Sequence, residues 1–332
     1  MKKGNFLRKH LVYLIVLIAL KLLFLAYFFS VDYDGGKIKW GISFSPLFAS
    51  SLGLDPRFVY RSILDQLKAD NIRLGAYWSD IEKEKGKYDF DDLDWYVREA
   101  EARGAFVTIA VGRRLPRWPE CHIPSWARME GESAQQEKIL EFLRETVEHY
   151  KYHPNVLRWQ VENEPLLNIF GECARGDKKF LLKEIALVKS LDTRPVMITD
   201  SGELSTWRRT INLGDYFGTT LYTKVGNKYL GYFRHIYPPA FYNWKARIWG
   251  RDLDKVVISE LQAEPWVMVN FPSSPDSLLK KAFSVNDFRR TLSIARKTGI
   301  KEIYLWGAEY WYYMKEKRGD SSYLEEAQQL WQ

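Results

Sequence analysis

The sequence predicts an α/β fold, a (β/α)8 TIM barrel preceded by an N-terminal transmembrane helix. Three observations carry this expectation. Short apolar, β-branched segments alternate eight times with segments of helical apolar spacing, no glycine-rich phosphate loop follows the first of them, and Leu11 to Ser30 is apolar except for Lys21. Strand and helix alternation of this kind builds a parallel sheet, and 332 residues with 46% hydrophobic content suffice for one barrel without a second domain. The absent glycine loop argues against an open, doubly wound nucleotide-binding sheet. The expected division is a cytoplasmic basic tail over residues 1–10, a transmembrane signal-anchor over 11–30 and one barrel domain over 31–332.

The apolar stretch has the roughly 20 residues needed to cross a bilayer. Lys2, Lys3, Arg8 and Lys9 precede it and Asp32 and Asp34 follow, so the positive-inside rule keeps the N-terminus in the cytoplasm and the remainder outside. The alternative is a protein secreted after signal cleavage. It fits less well, because the run exceeds the ~7 to 15 residues of a signal core, and Ala26-Tyr27-Phe28 and Phe28-Phe29-Ser30 are poor small-residue cleavage sites. Of the net charge of +7, five positive charges lie in the first 30 residues with no acid beside them, leaving +2 for the remainder. The basicity belongs to the anchor, and no nucleic-acid footprint is left. Cys121 and Cys173 follow two successive strand candidates at similar distances. Neighbouring parallel strands would bring them together, and an exported domain allows them to pair. Two separate buried thiols are the alternative.

In chain order, Lys39 to Phe44 is the first strand and Arg57 to Ala69 its helix, with Val59, Ile63, Leu64 and Leu67 on one side. Asn71 to Tyr77 and the helix Asp91 to Arg103, stopped by Gly104, form the second unit. Ala105 to Val111 leads into a long loop, Gly112 to Gly131, and a helix from Ser133 to about Tyr150 whose Ser-x-x-Gln start resembles a capping box. The fourth strand is Asn155 to Val161, followed by the helix Asp177 to Ser190. The fifth is Pro195 to Thr199 with a weak helix near Thr206 to Asn212, and the sixth is Tyr216 to Leu221 with a helix Pro239 to Gly250. Lys255 to Ser259 with the helix Val285 to Lys297, then Lys301 to Leu305 with Tyr323 to Trp331, complete eight units.

In such a barrel all strand ends converge on one mouth. Asn163 and Glu164 end the fourth strand, where Pro165 stops the ladder, and Glu260 ends the seventh through the run Val256-Val257-Ile258-Ser259. Arg73, Asp200, Tyr222 and Trp306 stand at other strand ends. Strands four and seven lie across the barrel, so two carboxylates point into one cleft, and a pair ~5 to 5.5 Å apart would suit a retaining glycosidase.

Asn163-Glu164-Pro165, the strand-seven Glu260 and the stretch Trp78-Ser79-Asp80-Ile81-Glu82 through Leu93-Asp94 resemble the signature of glycoside hydrolase clan A, the retaining, cellulase-like barrel superfamily, over residues 38–310. The resemblance implies Glu164 as general acid/base, Glu260 as nucleophile, Asn163 as ligand of a sugar 2-hydroxyl, Arg73 and Tyr222 as supports of the nucleophile, and Trp306 as a stacking floor. The acid needs a pKa raised by apolar surroundings and by Glu260, while the nucleophile has to carry its charge beside Arg73 and Tyr222. Two positions depart from many members: Gln262 stands where they have Gly, and Thr220 where they have His.

Nearby carboxylates are assigned differently. Strand alternation is expected to turn Glu162 away from the face of Val161 and Asn163, and Glu264, in the loop before Pro265, is placed to bind sugar hydroxyls. Trp118 is expected to offer a sugar platform. Arg113, Arg114, Glu120 and His122 in the third loop, and Trp266, Glu309, Tyr310 and Trp311 in the last two, are weaker candidates that loop packing explains equally. His122 lacks companion ligands, so no metal is expected, and no cofactor is implied. The expected function is hydrolysis of a β-linked oligo- or polysaccharide by a monomeric, membrane-anchored enzyme outside the cytoplasm. The alternative is a catalytically inactive, membrane-anchored carbohydrate-binding barrel.

Overall fold

A computed structural model describes residues 2–33, 36–227, 229, 231–266 and 270–332, excluding the side chains of residues 2–9, 24, 25 and 29. Asp34 and the basic side chains at 2, 3, 8 and 9, which the topology expectation uses, therefore lie outside the description. The chain opens with α1 (Lys2–Ser30), in which His10–Phe28 has a mean hydropathy of 2.6 and none of its most apolar window is buried in the protein. It continues through β1 (Lys39–Ser43), α2 (Pro46–Ser51), α3 (Pro56–Gln66), β2 (Asn71–Gly75), α4 (Trp78–Ile81), α5 (Asp91–Glu101), β3 (Phe106–Val111), α6 (Glu132–Tyr150), β4 (Val156–Val161), α7 (Lys178–Leu191), β5 (Val196–Asp200) and β6 (Tyr216–Leu221). There follow a hairpin of β7 (Lys224–Asn227) and β8 (Gly231–Arg234), then α8 (Pro239–Ile248), β9 (Val256–Gln262), α9 (Asp276–Ala282), α10 (Val285–Arg296), β10 (Glu302–Trp306), α11 (Ala308–Arg318) and α12 (Ser322–Gln328).

Eight parallel strands close in the order β1-β10-β9-β6-β5-β4-β3-β2. This is the expected (β/α)8 barrel. β4 and β9 are separated by β5 and β6, so the two carboxylate-bearing strands stand three steps apart around the ring rather than diametrically opposite. Ile42, Ile72, Leu74, Val107, Ile109, Trp159 and Val161 pack between sheet and helices in the main core. The lumen is filled separately. Met197, Val257 and Tyr304 form a small apolar layer there, and below it Arg158 donates to both Glu302 oxygens at 2.7 Å with the Tyr216 ring 4.2 Å away.

Local departures from the sequence expectation have local causes. The N-cap of α6 is Gly131, with no side-chain cap bond, so the expected Ser133 capping box is not formed. Thr206 to Asn212 is a set of turns instead of a helix, held where Thr210 and Ser205 donate to Asp200 at 2.5 and 2.7 Å. After β10 the returning helix is α11, with the short α12 behind it. The region of Tyr323 to Trp331, expected to close the set, is thus the second element there. The β7–β8 hairpin has no counterpart in the eight-unit count. Cys121 and Cys173 are joined with a Cα–Cα distance of 5.3 Å, which ties the β3 loop to the β4 loop, as the strand spacing anticipates.

Because the bridge closes a segment of 52 residues, Cys173→Ser is expected to cost about 2–4 kcal/mol of unfolding free energy. Denaturant titration of wild type and variant, with and without reductant, reads this. An unchanged midpoint in the variant would contradict it.

Candidate active site

At the end of β4 the backbone leaves strand geometry abruptly. Glu162 and Glu164 both have positive φ, 58° and 44°, a region that residues with side chains occupy at a cost of roughly 1–3 kcal/mol. The surroundings hold them there. Glu162 N–H donates to Val111 O at 2.9 Å, Asn163 N–H to Arg114 O at 2.6 Å and Glu164 N–H to Thr199 Oγ1 at 2.9 Å. The Glu162 carboxylate accepts from the backbone N–H groups of Arg113 and Arg114, both at 2.7 Å. It thereby clamps the start of the β3 loop, and Gly112 beside it leaves no room for a Cβ, which would strike that carboxylate.

The expected exclusion of Glu162 from the cleft is therefore observed, but the reason differs from strand alternation. Val161 packs toward the helices while Asn163 turns into the lumen, so these two do not share a face. The kink at Glu162 reverses the pattern.

Glu260 reaches the lumen by another irregularity. The register of β9 shifts against β6 between Thr219 and Thr220, and against β10 between Ile303 and Leu305. Ile258 and Leu261 both pack in the helix-facing core, three residues apart, with Ser259 and Glu260 between them. A regular strand would turn Glu260 outward with Ile258; the extra residue of this bulge turns it inward.

Inside, Arg73 from β2 is the common partner. Its Nη1 donates to Glu260 Oε1 at 3.0 Å and Ser43 Oγ at 3.2 Å, its Nη2 to Asn163 Oδ1 at 2.9 Å and its Nε to Gln160 Oε1 at 2.7 Å. Tyr222 Oη donates to Glu260 Oε2 at 3.2 Å. Burial, and then the Glu260 charge, push the Tyr222 hydroxyl well above its ordinary range, so it remains a donor. Both contacts stabilise negative charge on Glu260.

Glu164 has the opposite surroundings. Burial first, then Glu260, Glu120 and Asp200, raise its pKa well above 4.5, against Arg114. Among the described residues its buried Oε1 has no hydrogen-bond partner. A carboxyl group whose pKa is raised by burial and a carboxyl group paired with a guanidinium thus end two strands of one lumen.

The rim contains a group that the sequence reading missed. The Arg117 guanidinium lies between Phe48 and Trp306, 3.7 and 3.9 Å from the ring centres. It pairs with Glu264 and, at 3.2 Å, with Glu309. Glu264 is therefore an ion-pair partner in this arrangement, and one face of the expected stacking floor Trp306 is covered by Arg117. Burial pushes Glu309 up to about 7 against the pull of Arg117, and its carboxylate accepts from Ser45 N–H at 2.5 Å. The only sequence signal for Arg117 is its place in the long third loop.

Among the described residues other candidates make no hydrogen bond to the two carboxyl groups, although the charge of Asp200 acts on Glu164. Trp118 is 69% exposed on the β3 loop, and Tyr310 and Trp311 are buried in the core. Asp200 is absorbed by Ser205, Thr210 and the Ser201 amide. His122, lowered to about 4 by burial, packs at a tilt against Tyr77 with ring centres 4.3 Å apart and contacts Arg117 O at 3.2 Å, which places it in loop packing. The two departures from the clan pattern have structural uses. Gln262 Oε1 accepts from Thr223 and Lys224 N–H, both at 2.9 Å, holding the hairpin entry. Thr220 Oγ1 donates to Glu203 at 3.0 Å and accepts from Gly202 N–H at 2.9 Å.

The state of Glu164 predicts a pH effect on stability. Its folded pKa is raised, so the native state holds a proton that the unfolded state releases above about 4.5. Its contribution is full below that pH and is lost as pH rises through the folded value. Glu164→Gln removes this loss. The difference in unfolding free energy between the variant and wild type should grow in favour of the variant from pH 5 to 8, and parallel pH profiles would refute the assigned proton.

No protein-family model matches the chain. It is 23% identical over 227 residues to β-galactosidase LacA of Lactobacillus acidophilus, covering 61% of this chain and 32% of the relative. Over 104 residues it is 32% identical to β-galactosidase BbgII of Bifidobacterium bifidum, covering 26% and 15%. It thus spans a third or less of the length of these curated relatives. Similar solved structures include a GH5 variant from Bifidobacterium longum in complex with Manβ1-4GlcNAc, at TM-score 0.58, 13% identity and coverage of 81% of this chain and 68% of that one. The β-galactosidase of Rahnella sp. R3 gives TM-score 0.57 and 12% identity, covering 91% and 57%. Xylanase 10B of Thermotoga petrophila in complex with xylobiose gives 0.52 and 16%, covering 82% of each chain. These likenesses show the fold, a closed eight-stranded barrel shared with glycoside hydrolases.

Proposed function

We propose that this chain is a membrane-anchored, retaining glycoside hydrolase acting on a β-linked oligo- or polysaccharide, with Glu164 as general acid/base and Glu260 as nucleophile. The observation that carries this reading is the opposed setting of two buried carboxyl groups: Glu260 is held by Arg73 and Tyr222, while Glu164 is raised by burial with Oε1 unpaired among the described residues. One group is prepared to attack and the other to donate a proton. The similar proteins, β-galactosidases, a xylanase and an enzyme bound to Manβ1-4GlcNAc, support a β-linked substrate.

In the first step a Glu260 oxygen attacks the anomeric carbon, the bond to the leaving oxygen breaks, and Glu164 gives that oxygen its proton. The ester consumes the charge on Glu260, which removes one of the causes holding the proton on Glu164. Glu164, now a carboxylate, takes a proton from water as the water attacks the anomeric carbon and releases Glu260. Two inversions leave the configuration retained. Asn163 spends its amide oxygen on Arg73, which leaves its NH2 group to meet the sugar 2-hydroxyl. Trp306 and Glu264 would meet sugar units only where Arg117 leaves them accessible, and Trp118 only from its exposed place on the β3 loop.

α1 serves as the anchor in this reading. Its apolar length and the disulfide support a barrel outside the cytoplasmic membrane, where thiols can oxidise.

The test is hydrolysis of aryl β-glycosides and β-linked polysaccharides by the full chain in detergent. Glu164→Ala and Glu260→Ala should each lower turnover by roughly 10²- to 10⁴-fold or more. Glu164→Ala should retain more of its rate on dinitrophenyl glycosides, whose leaving group needs no proton. Undiminished hydrolysis in either variant would overturn the assignment, and binding without turnover by the wild type would favour a carbohydrate-binding barrel.

A further inference from the structure

α8 exposes two large apolar side chains, Trp244 and Ile248, where α3 and α7 expose one each, Phe58 and Leu182. Its inner side, Tyr242, Asn243, Lys245 and Ala246, is buried against the barrel. Its outer side carries Phe241, Trp244 and Ile248, spaced by three and four residues and so aligned in one stripe. Trp244 is 44% exposed and Ile248 50%, and Ile236 just before the helix is 81% exposed. By contrast, α10 exposes Asn286, Arg289, Arg290 and Arg296 on its outer side, as a helix bathed in water does.

The stripe is continuous with α1. Phe28, at the end of the apolar span, packs edge-on against Trp244 with ring centres 6.1 Å apart. Trp244 stacks on Phe241 at 6.4 Å, and Phe241 on Tyr237 at 4.5 Å. The connection has little slack, since only Val31 and Asp32 separate α1 from Tyr33. Tyr33 N–H donates to Lys297 O at 2.9 Å, Lys297 pairs with Asp32 at 2.8 Å, and exposed Arg247 lies 5.5 Å from the Tyr33 ring. A helix crossing the bilayer therefore delivers the barrel to the lipid surface with α8 beside it.

We propose that the outer face of α8 and the segment leading into it lie in the headgroup region of the bilayer that α1 crosses. This rests on the reading of α1 as a membrane span. Trp and Tyr favour that region, and a helix with one apolar side lies flat in it, with a basic residue such as Arg247 toward anionic headgroups. α8 leads from the β7–β8 hairpin to the start of β9, and the helices that return between parallel barrel strands run back along the outside of the sheet. With α8 flat on the membrane, the barrel rests on its side and its cleft opens along the surface, toward a glycan held near the bilayer, rather than away from it.

Both native cysteines are joined in the disulfide, so a single added cysteine can be labelled. Leu17→Cys, Ile248→Cys and Met129→Cys, the last at a position 93% exposed on the β3 loop, are each labelled with a fluorophore. The full chain is reconstituted in phosphatidylcholine and phosphatidylglycerol vesicles carrying doxyl groups at shallow or deep positions. The probe at 17 should lose emission to deep doxyl groups, the probe at 248 to shallow ones, and the probe at 129 to neither. Quenching at 17 with none at 248 would overturn the docking while the span stands. No quenching at 17 would overturn the span and the docking with it. Hydrolysis plays no part in this readout, so the glycosidase reading stands or falls separately.

Discussion

The barrel mouth depends on one buried cation. The Arg73 side chain is 1% exposed, and a guanidinium removed from water costs several kcal/mol unless its charge and donors are met. It meets Glu260 on β9, Ser43 on β1, and Gln160 and Asn163 at the end of β4. These contacts reach across the lumen between strands that are not all neighbours, so they fix the positions of both functional strand ends at once. Leaving such a charge uncompensated costs about 3–5 kcal/mol, and that penalty keeps Glu260 aimed at the centre of the mouth.

Around this cation, the two carboxyl groups are separated in character by their contacts. Glu260 lies against a guanidinium and a hydroxyl, whereas Glu164 faces burial and negative neighbours. The backbone strain at Glu162 and Glu164 contributes to this separation. It rotates one glutamate out of the lumen to clamp the β3 loop and sets the next where its Oε1 has no partner among the described residues. Fold, strain and charge thus act together on Glu162, Asn163 and Glu164.

The barrel was legible because alternating apolar segments report burial between sheet and helices, a property of each segment alone. That Glu164 and Glu260 stand at the ends of two barrel strands was legible from the apolar runs that lead to them, and the clan resemblance singles them out among the carboxylates. Their orientation was not. Period-two alternation would turn Glu260 outward with Ile258 and would place Val161 and Asn163 on one face, and the bulge in β9 and the positive φ at Glu162 reverse both. Neither irregularity leaves a mark in residue type. Arg117 was invisible for a related reason: it becomes part of the mouth only because Phe48, Trp306, Glu264 and Glu309, from distant parts of the chain, surround it. The cysteine pair, in contrast, was favoured over two separate thiols by strand spacing together with an exported setting, and the two are joined.

The central claim is that Glu260 bonds covalently to the sugar while Glu164 carries the proton. It is tested most directly by trapping that bond with a 2-deoxy-2-fluoro β-glycoside bearing a dinitrophenol leaving group, in which the fluorine slows both steps and the leaving group speeds the first. Mass spectrometry of the digested protein should then find one glycosyl adduct, on the peptide that contains Glu260. An adduct on another carboxylate, or a product of inverted anomeric configuration with no adduct, would contradict the account.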